Sequence, residues 1–248
     1  MMDMERTVCG CAYGATSWTT KEEVALIKNL LSLEPKSRLL DIGSGSGWPG
    51  LLLAQETGCH LVLTDIPVNG LKTARDRAVS DDISGFCGAI AATGAELPFG
   101  LDTFDAIHHS DVLCCLPNKR RVLAACRNVV RPQGQMVFSV IHLAAGVSEV
   151  DEPFAVASGP AFVATELPYA DLLMQTGWKA VNRFDRTAAF AASVRQSREL
   201  YIRNATSLSA LIGQNEAREE TKRLHNILTA IDQGLLCRSE FEVIPANG

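Results

Sequence analysis

This chain lacks any run approaching the roughly 18 consecutive apolar residues of a membrane-spanning helix, so a helical span is not expected. Its start, Met1-Met2-Asp3-Met4-Glu5-Arg6, has neither the basic beginning nor the apolar stretch of a secretory leader, and the expectation is a cytoplasmic protein. Basic runs are missing too. The 23 Lys and Arg are scattered among 28 Asp and Glu, for a net charge of −5, whereas neutralising a phosphate backbone needs a concentrated positive face. Nucleic acid is therefore not an expected partner. Zinc-type spacing is likewise absent from the eight cysteines (Cys9, Cys11, Cys59, Cys87, Cys114, Cys115, Cys126, Cys237), although Cys9-x-Cys11 and the adjacent pair Cys114-Cys115 invite the comparison. No metal is expected, and the thiols read as reduced, largely buried packing groups. The alternative for them is contact with a thiol-seeking substrate such as a metalloid.

What is present is ordinary globular composition, 47% hydrophobic and 21% charged, with no internal repeat or low-complexity linker. Thr20 and Glu23 form a capping-box pattern ahead of Val24, Ile27, Leu30 and Leu31 at helical spacing. Short apolar runs at 38–42, 60–64, 86–91, 106–110 and 135–141 predict buried strands, with helices from about Pro49, near Leu71 to Ala78 and from about Asn118. Repeated β-then-α units make an α/β, doubly wound, mostly parallel sheet whose ligands sit beyond the carboxyl ends of the strands. Residues 142–167 read as irregular, followed by a helix from Tyr169 to Thr176 and a strand at 179–184. Two long helices at 188–212 and 215–233, separated by Gly213, then precede a last strand from Cys237 to Ile244. That helical pair is an insertion serving as a lid, a dimer interface or extra packing, and monomer and homodimer both stay open.

The most informative segment is Asp41-Ile42-Gly43-Ser44-Gly45-Ser46-Gly47-Trp48-Pro49-Gly50. Its glycines permit positive φ and let a ligand approach the backbone at a helix N-terminus. Gly45, Gly47 and Gly50 satisfy the dinucleotide pattern G-x-G-x-x-G, and Asp65, ending the second strand, suits both ribose hydroxyls of any adenosine ligand. Asp41 discriminates between ligands. A carboxylate beside the loop favours a cationic amino or sulfonium group and gains nothing from a pyrophosphate; it also serves to fix the loop by accepting backbone N–H bonds.

Leu39-Leu40-Asp41 with the glycines, Glu96-Leu97-Pro98-Phe99, Thr103-Phe104-Asp105-Ala106-Ile107 and Arg131-Pro132-Gln133-Gly134 occur in the order of a known motif series. Over residues 20–142 the chain resembles class I S-adenosylmethionine-dependent methyltransferases, specifically the small-molecule, methyltransferase type 11/UbiE-like group. The resemblance implies a Rossmann-like seven-stranded sheet with an antiparallel last strand. It implies S-adenosylmethionine as cofactor, S-adenosylhomocysteine as product and a small-molecule acceptor. It assigns Gly43, Ser44, Gly45 and Gly47 to the methionine portion, Asp65 to the ribose, Ile66 to the adenine face and His109 to the methionine moiety. The family's Asp-Ala pair for the adenine amino group is replaced here by Thr93-Gly94-Ala95, so either the Thr93 hydroxyl or the backbone of Gly94 and Ala95 takes that role.

On the acceptor side the resemblance places Asp111 and Cys115. Many relatives have His where this chain has Cys115, so a base, if one is needed, falls to His108 or Asp111. Adjacent histidines at a strand end also serve simply as polar residues of the sheet rim. Tyr13 and Trp18 either cover the sulfonium by cation–π contact or anchor the N-terminal arm. The expected organisation is one domain: an arm and helix over 1–36, a cofactor-binding core over 37–142, a cap from 143–167 and 188–233, and a terminal strand over 235–248. The cap face with Phe190, Val194, Leu200 and Tyr201 is expected to wall the pocket. The competing functions are a nicotinamide-dependent oxidoreductase, using the glycine loop and Asp65, and a methyltransferase-like module that binds without catalysis.

Overall fold

The computed structural model describes residues 7–8 and 17–246. Seven strands, β1 (Arg38–Ile42), β2 (His60–Asp65), β3 (Cys87–Ala91), β4 (Phe104–Ser110), β5 (Val130–Leu143), β6 (Trp178–Asp185) and β7 (Leu236–Pro245), form one sheet in the order β3-β2-β1-β4-β5-β7-β6. The first five run parallel, and β7 lies antiparallel between β5 and β6. This is the expected mostly parallel, doubly wound arrangement with its antiparallel last strand. The order reverses between β2-β1 and β4, which opens a crevice at the carboxyl ends of β1 and β4.

Helix α1 (Lys21–Leu31) starts at the expected capping box: Thr20 accepts from the Glu23 N–H and Glu23 from the Thr20 N–H. It is followed by α2 (Gly50–Thr57), α3 (Val68–Ser80) and α4 (Lys119–Val129), the last capped by the Asn118 side chain. Strand alternation distributes the core between the two faces of the sheet. Leu39, Ala106 and Val137 point toward α1, α2 and α3; their neighbours Leu40, Ile107 and Phe138 point to the other face, toward α4 and the C-terminal helices.

Two expectations in the C-terminal half need correction. Residues 142–167 are not wholly irregular, because Glu152–Ser158 form a short helix, α5, with Pro153 in its first turn, where a missing N–H is harmless. After α6 (Tyr169–Gln175) and β6, the helix expected over 188–212 is two helices, α7 (Thr187–Arg203) and α8 (Ala205–Ile212), divided at Asn204. Asn204 sits at φ −106° and its side chain bonds the Leu200 carbonyl, which competes with continuing the helix. Gly213, at φ +94°, then turns the chain into α9 (Gln214–Asp232). No helix among the described residues is long and apolar enough to cross a membrane.

Candidate active site

A cavity of about 510 Å³ opens where the carboxyl ends of β1, β2, β4 and β5 meet. Its wall is built from the glycine loop, Asp65, Ser110 to Val112, Cys115, the segment at Ser17 and Trp18, and cap residues on either side of β6 in sequence. Ser158 to Ala161 come from the end of α5, Phe190 from α7, and Arg223 and Ile227 from α9. Residues from both of these segments thus line the cavity. Of the expected apolar face only Phe190 lines it: Val194 is buried in the core, and Tyr201 lines a separate groove among α7, α8 and α9.

Asp41 and His108 are paired partners in the β1–β4 register and share a face of the sheet. His108 Nδ1 lies 3.1 Å from Asp41 Oδ1, both groups being buried. Burial raises the Asp41 carboxyl above its usual value, with the hydrogen bond and charge of His108 acting against it. Asp41 Oδ2, lying against Gly50, has no hydrogen-bond partner, and neither does the buried Ser44 Oγ one turn of loop away. Buried polar atoms are ordinarily satisfied, so two orphans on one cavity wall mark a place for a polar ligand.

Gly45 adopts φ +52° and nothing lies within 4 Å of where a Cβ would stand. The ligand-facing side of the loop is therefore bare backbone. At Gly47, φ +100°, a Cβ would instead strike Leu51, so that glycine serves the packing of loop on helix. Asp65 braces the loop: one carboxylate oxygen accepts from the Gly45 N–H and the other from the Ile66 N–H, each at 2.7 Å. Ile66 itself is 62% exposed, an apolar side chain outside the core, and it is not among the residues that line the cavity.

Other expected residues are placed away from the cavity or are engaged by neighbours. His109 does not face the cavity; one residue beyond His108, it points to the opposite face, is wholly buried, and stacks on Phe138 with ring centroids 4.8 Å apart. Burial, then the charge of His108, lowers it to about 3, so it is a neutral aromatic packing residue. His108 is also sealed off, its Nε2 covered by Ser110 Oγ at 3.4 Å. Asp111 does line the cavity, at φ +54°, but Arg238 grips both its oxygens. Neither is placed as a free base. Thr93, Gly94 and Ala95 lie off the cavity wall: Thr93 Oγ1 accepts from the Ala95 N–H, and a Cβ on Gly94 would meet Ile42 and Val122 in the core.

Sequence reasoning missed Arg238 altogether. On β7 it is 1% exposed and donates to Asp111, Glu23, Thr19 and Ser139. The cation is held charged by these carboxylates against the cost of burial. Through Thr19, whose hydroxyl donates to Ser110, this cluster joins the Asp41–His108 pair into one buried polar network behind the cavity.

Cys115 departs from the expectation of buried thiols. It is exposed and lines the cavity, and the Cys114 thiol beside it, donating a hydrogen bond, lowers it to about 7. Cys59, Cys114 and Cys126 are buried, and all the described cysteines are free. Cys9, Cys11 and Tyr13 lie outside the described residues. Trp18 lines the cavity and meets Phe190 edge-on at 5.3 Å. Among the described residues, no group of three or more His, Cys, Asp or Glu is placed to hold a metal ion.

Comparison with known proteins adds the following. A family profile described as a methyltransferase domain matches residues 40–138. Methyltransferase GfsG of Streptomyces halstedii is 28% identical over 120 residues, 48% of this chain and 43% of that protein. The ubiquinone/menaquinone biosynthesis C-methyltransferase UbiE of Vibrio parahaemolyticus is 32% identical over 105 residues, 42% and 40% of the two chains. The matches thus span less than half the length of these curated relatives. In fold, the chain is similar to Haemonchus contortus phosphoethanolamine N-methyltransferase 2 in complex with S-adenosyl-L-methionine, with a TM-score of 0.82, 17% identity, and coverage of 99% of this chain and 57% of that one.

Proposed function

We propose that this chain, which belongs to the class I S-adenosylmethionine-dependent methyltransferase family in its methyltransferase type 11/UbiE-like group, transfers a methyl group from S-adenosylmethionine to a small-molecule acceptor and releases S-adenosylhomocysteine. The observation that carries this reading is the loop wall: bare backbone at Gly45, an unpartnered Ser44 hydroxyl and Asp41 Oδ2, and the Asp65 carboxylate at one end. That donor set fits an adenosyl sulfonium ligand. A pyrophosphate would meet the Asp41 charge instead, which disfavours a nicotinamide cofactor.

S-adenosylmethionine supplies a methyl carbon already attached to a good leaving group. What remains for the chain is to hold and align. Asp65 takes the ribose hydroxyls while still bracing the loop, and Ile66 offers its exposed apolar side chain to the adenine. Gly43, Ser44, Gly45 and Gly47 shape the approach, and Asp41 places negative charge near the cationic end. Holding two reactants in line supplies much of the rate in a displacement of this kind. With Asp111 gripped by Arg238 and His108 covered, the acid–base group on the acceptor side is Cys115, lowered to about 7, whose thiolate is populated near neutral pH and can take a proton.

The acceptor is a metabolite of a cytosolic enzyme rather than a nucleic acid, in keeping with the net charge of −5. Residues 143–167 and 188–233 form its cap. The test is calorimetry with S-adenosylhomocysteine and NAD, followed by a labelled-methyl assay across a metabolite panel that also scores S-adenosylhomocysteine formation. A ligand at 100-fold its Kd stabilises the folded state by about 2.7 kcal/mol, which for a chain of this size is a Tm rise of roughly 5–11 °C. Binding of NAD without S-adenosylhomocysteine would overturn the reading; cofactor binding with no methyl transfer to any acceptor would favour the non-catalytic module.

A further inference from the structure

Helical hydroxyls in this chain ordinarily return to the carbonyl four residues back, as Thr57 does to Leu53, Thr176 to Leu172 and Thr221 to Ala217. Ser158, the last residue of α5, does not. It is 3% exposed, its Oγ has no hydrogen-bond partner, and it lies on the cavity wall that the cap supplies. A buried hydroxyl left unmatched costs stability unless a ligand completes it. The unmatched atoms on the loop side, Asp41 Oδ2 and Ser44 Oγ, are accounted for by the cofactor; Ser158, carried by the cap, is not.

Arg223 reaches the same cavity from α9. Glu220, one turn earlier, holds it by two bonds, Nε to Oε2 at 2.7 Å and Nη2 to Oε1 at 2.6 Å, and Tyr201 lies within electrostatic range of the same guanidinium; neither Glu220 bond uses Nη1. A guanidinium fixed on one side is preorganised to receive a second anionic oxygen on the other. Arg238 already does this within the chain, serving Glu23 and Asp111 together. The same cavity is lined by the apolar Phe190 and Ile227 of the cap and, edge-on to Phe190, by Trp18 of the N-terminal segment.

Building on the methyltransferase reading, we propose that the acceptor is an apolar molecule bearing an anionic oxygen, which Arg223 Nη1 and the Ser158 hydroxyl receive while Phe190, Ile227 and Trp18 enclose its body. The anionic oxygen is a handle that orients the molecule toward the loop side of the cavity. Its recognition belongs to the cap and not to the sheet.

The probes are 2-naphthoate and its neutral counterpart 2-naphthamide, titrated by calorimetry into the full chain saturated with S-adenosylhomocysteine. Naphthoate is expected to bind at least ten-fold more tightly. Arg223→Gln should erase that preference and leave naphthamide and S-adenosylhomocysteine affinity unchanged, while Ser158→Ala should weaken naphthoate several-fold. Arg223 is exposed, so its replacement should leave the fold intact, and retained S-adenosylhomocysteine binding checks that the variant is folded. Equal affinity for the two probes, or a preference that survives Arg223→Gln, would overturn the assignment. Failure to bind S-adenosylhomocysteine at all would strike the methyltransferase reading instead.

Discussion

Arg238 Nε donates to both carboxylate oxygens of Asp111, at 3.0 and 3.1 Å, across 127 residues of sequence. The bond turns Asp111 from a reacting group into an anchor for the loop after β4. With Nη1 on Glu23, the same guanidinium ties the first helix to the last strand.

Arg238→Met should therefore cost more than its own packing. It leaves the buried Glu23 and the partly buried Asp111 without their counter-charge, a defect worth up to about 3–5 kcal/mol. Urea denaturation should show the loss as a lower midpoint. Asp111→Asn removes the charge but suits the positive φ, and methyl transfer should stay within about ten-fold of the parent, since general-base loss typically costs roughly 10²-fold or more. A deeper loss in a folded variant would restore Asp111 as the base.

The two loop anchors should fail differently. Gly45→Val puts a branched side chain into the open, ligand-facing space at φ +52° and should abolish S-adenosylhomocysteine binding. Asp65→Ala removes the acceptor of the Gly45 and Ile66 N–H groups as well as the proposed ribose contact, and binding should weaken by about 1–3 kcal/mol. Calorimetry measures both, and an unchanged Kd for Asp65→Ala would show the ribose to be elsewhere.

Among the described cysteines, Cys115 should be the thiol that reacts first. Its value near 7 means that the thiolate is the minor form below neutrality and the major form above it, so iodoacetamide labelling should accelerate as pH rises through about 7 and level off beyond. Burial holds Cys87 up near 11 and Cys126 near 12, and Cys59 is raised as well; these should label slowly over the same range. Mass spectrometry of the labelled peptides reads the order. S-adenosylhomocysteine should protect Cys115, which lines the cavity proposed for it.

The sheet was legible because its signals are local. Alternation and short apolar runs placed the strands to within a few residues, and Thr20 with Glu23 announced the first helix. Face was harder to read. His108 and His109 look alike in sequence, yet register pairs one with Asp41 and stacks the other on Phe138. Arg238 gave little signal, one charge in a strand that also carries Glu240 and Glu242, and nothing local names partners 127 and 215 residues away. Ser158 gave none, since an unsatisfied hydroxyl becomes visible only when every neighbour has a position. The break at Asn204 was missed because helical periodicity runs through it, while the competing bond to the Leu200 carbonyl is a property of geometry.

Because β7 lies between β5 and β6 but follows every other strand in sequence, the order of synthesis differs from the order of assembly. On the ribosome, β5 and β6 emerge with no strand to bridge them, and β5 has one edge open until β7 arrives. Glu23 likewise waits for its counter-ion. A nascent chain stalled within α9 would thus expose a bare sheet edge, the feature that invites pairing with other chains. Chaperone demand during translation should be greatest just before residues 236–245 leave the exit tunnel.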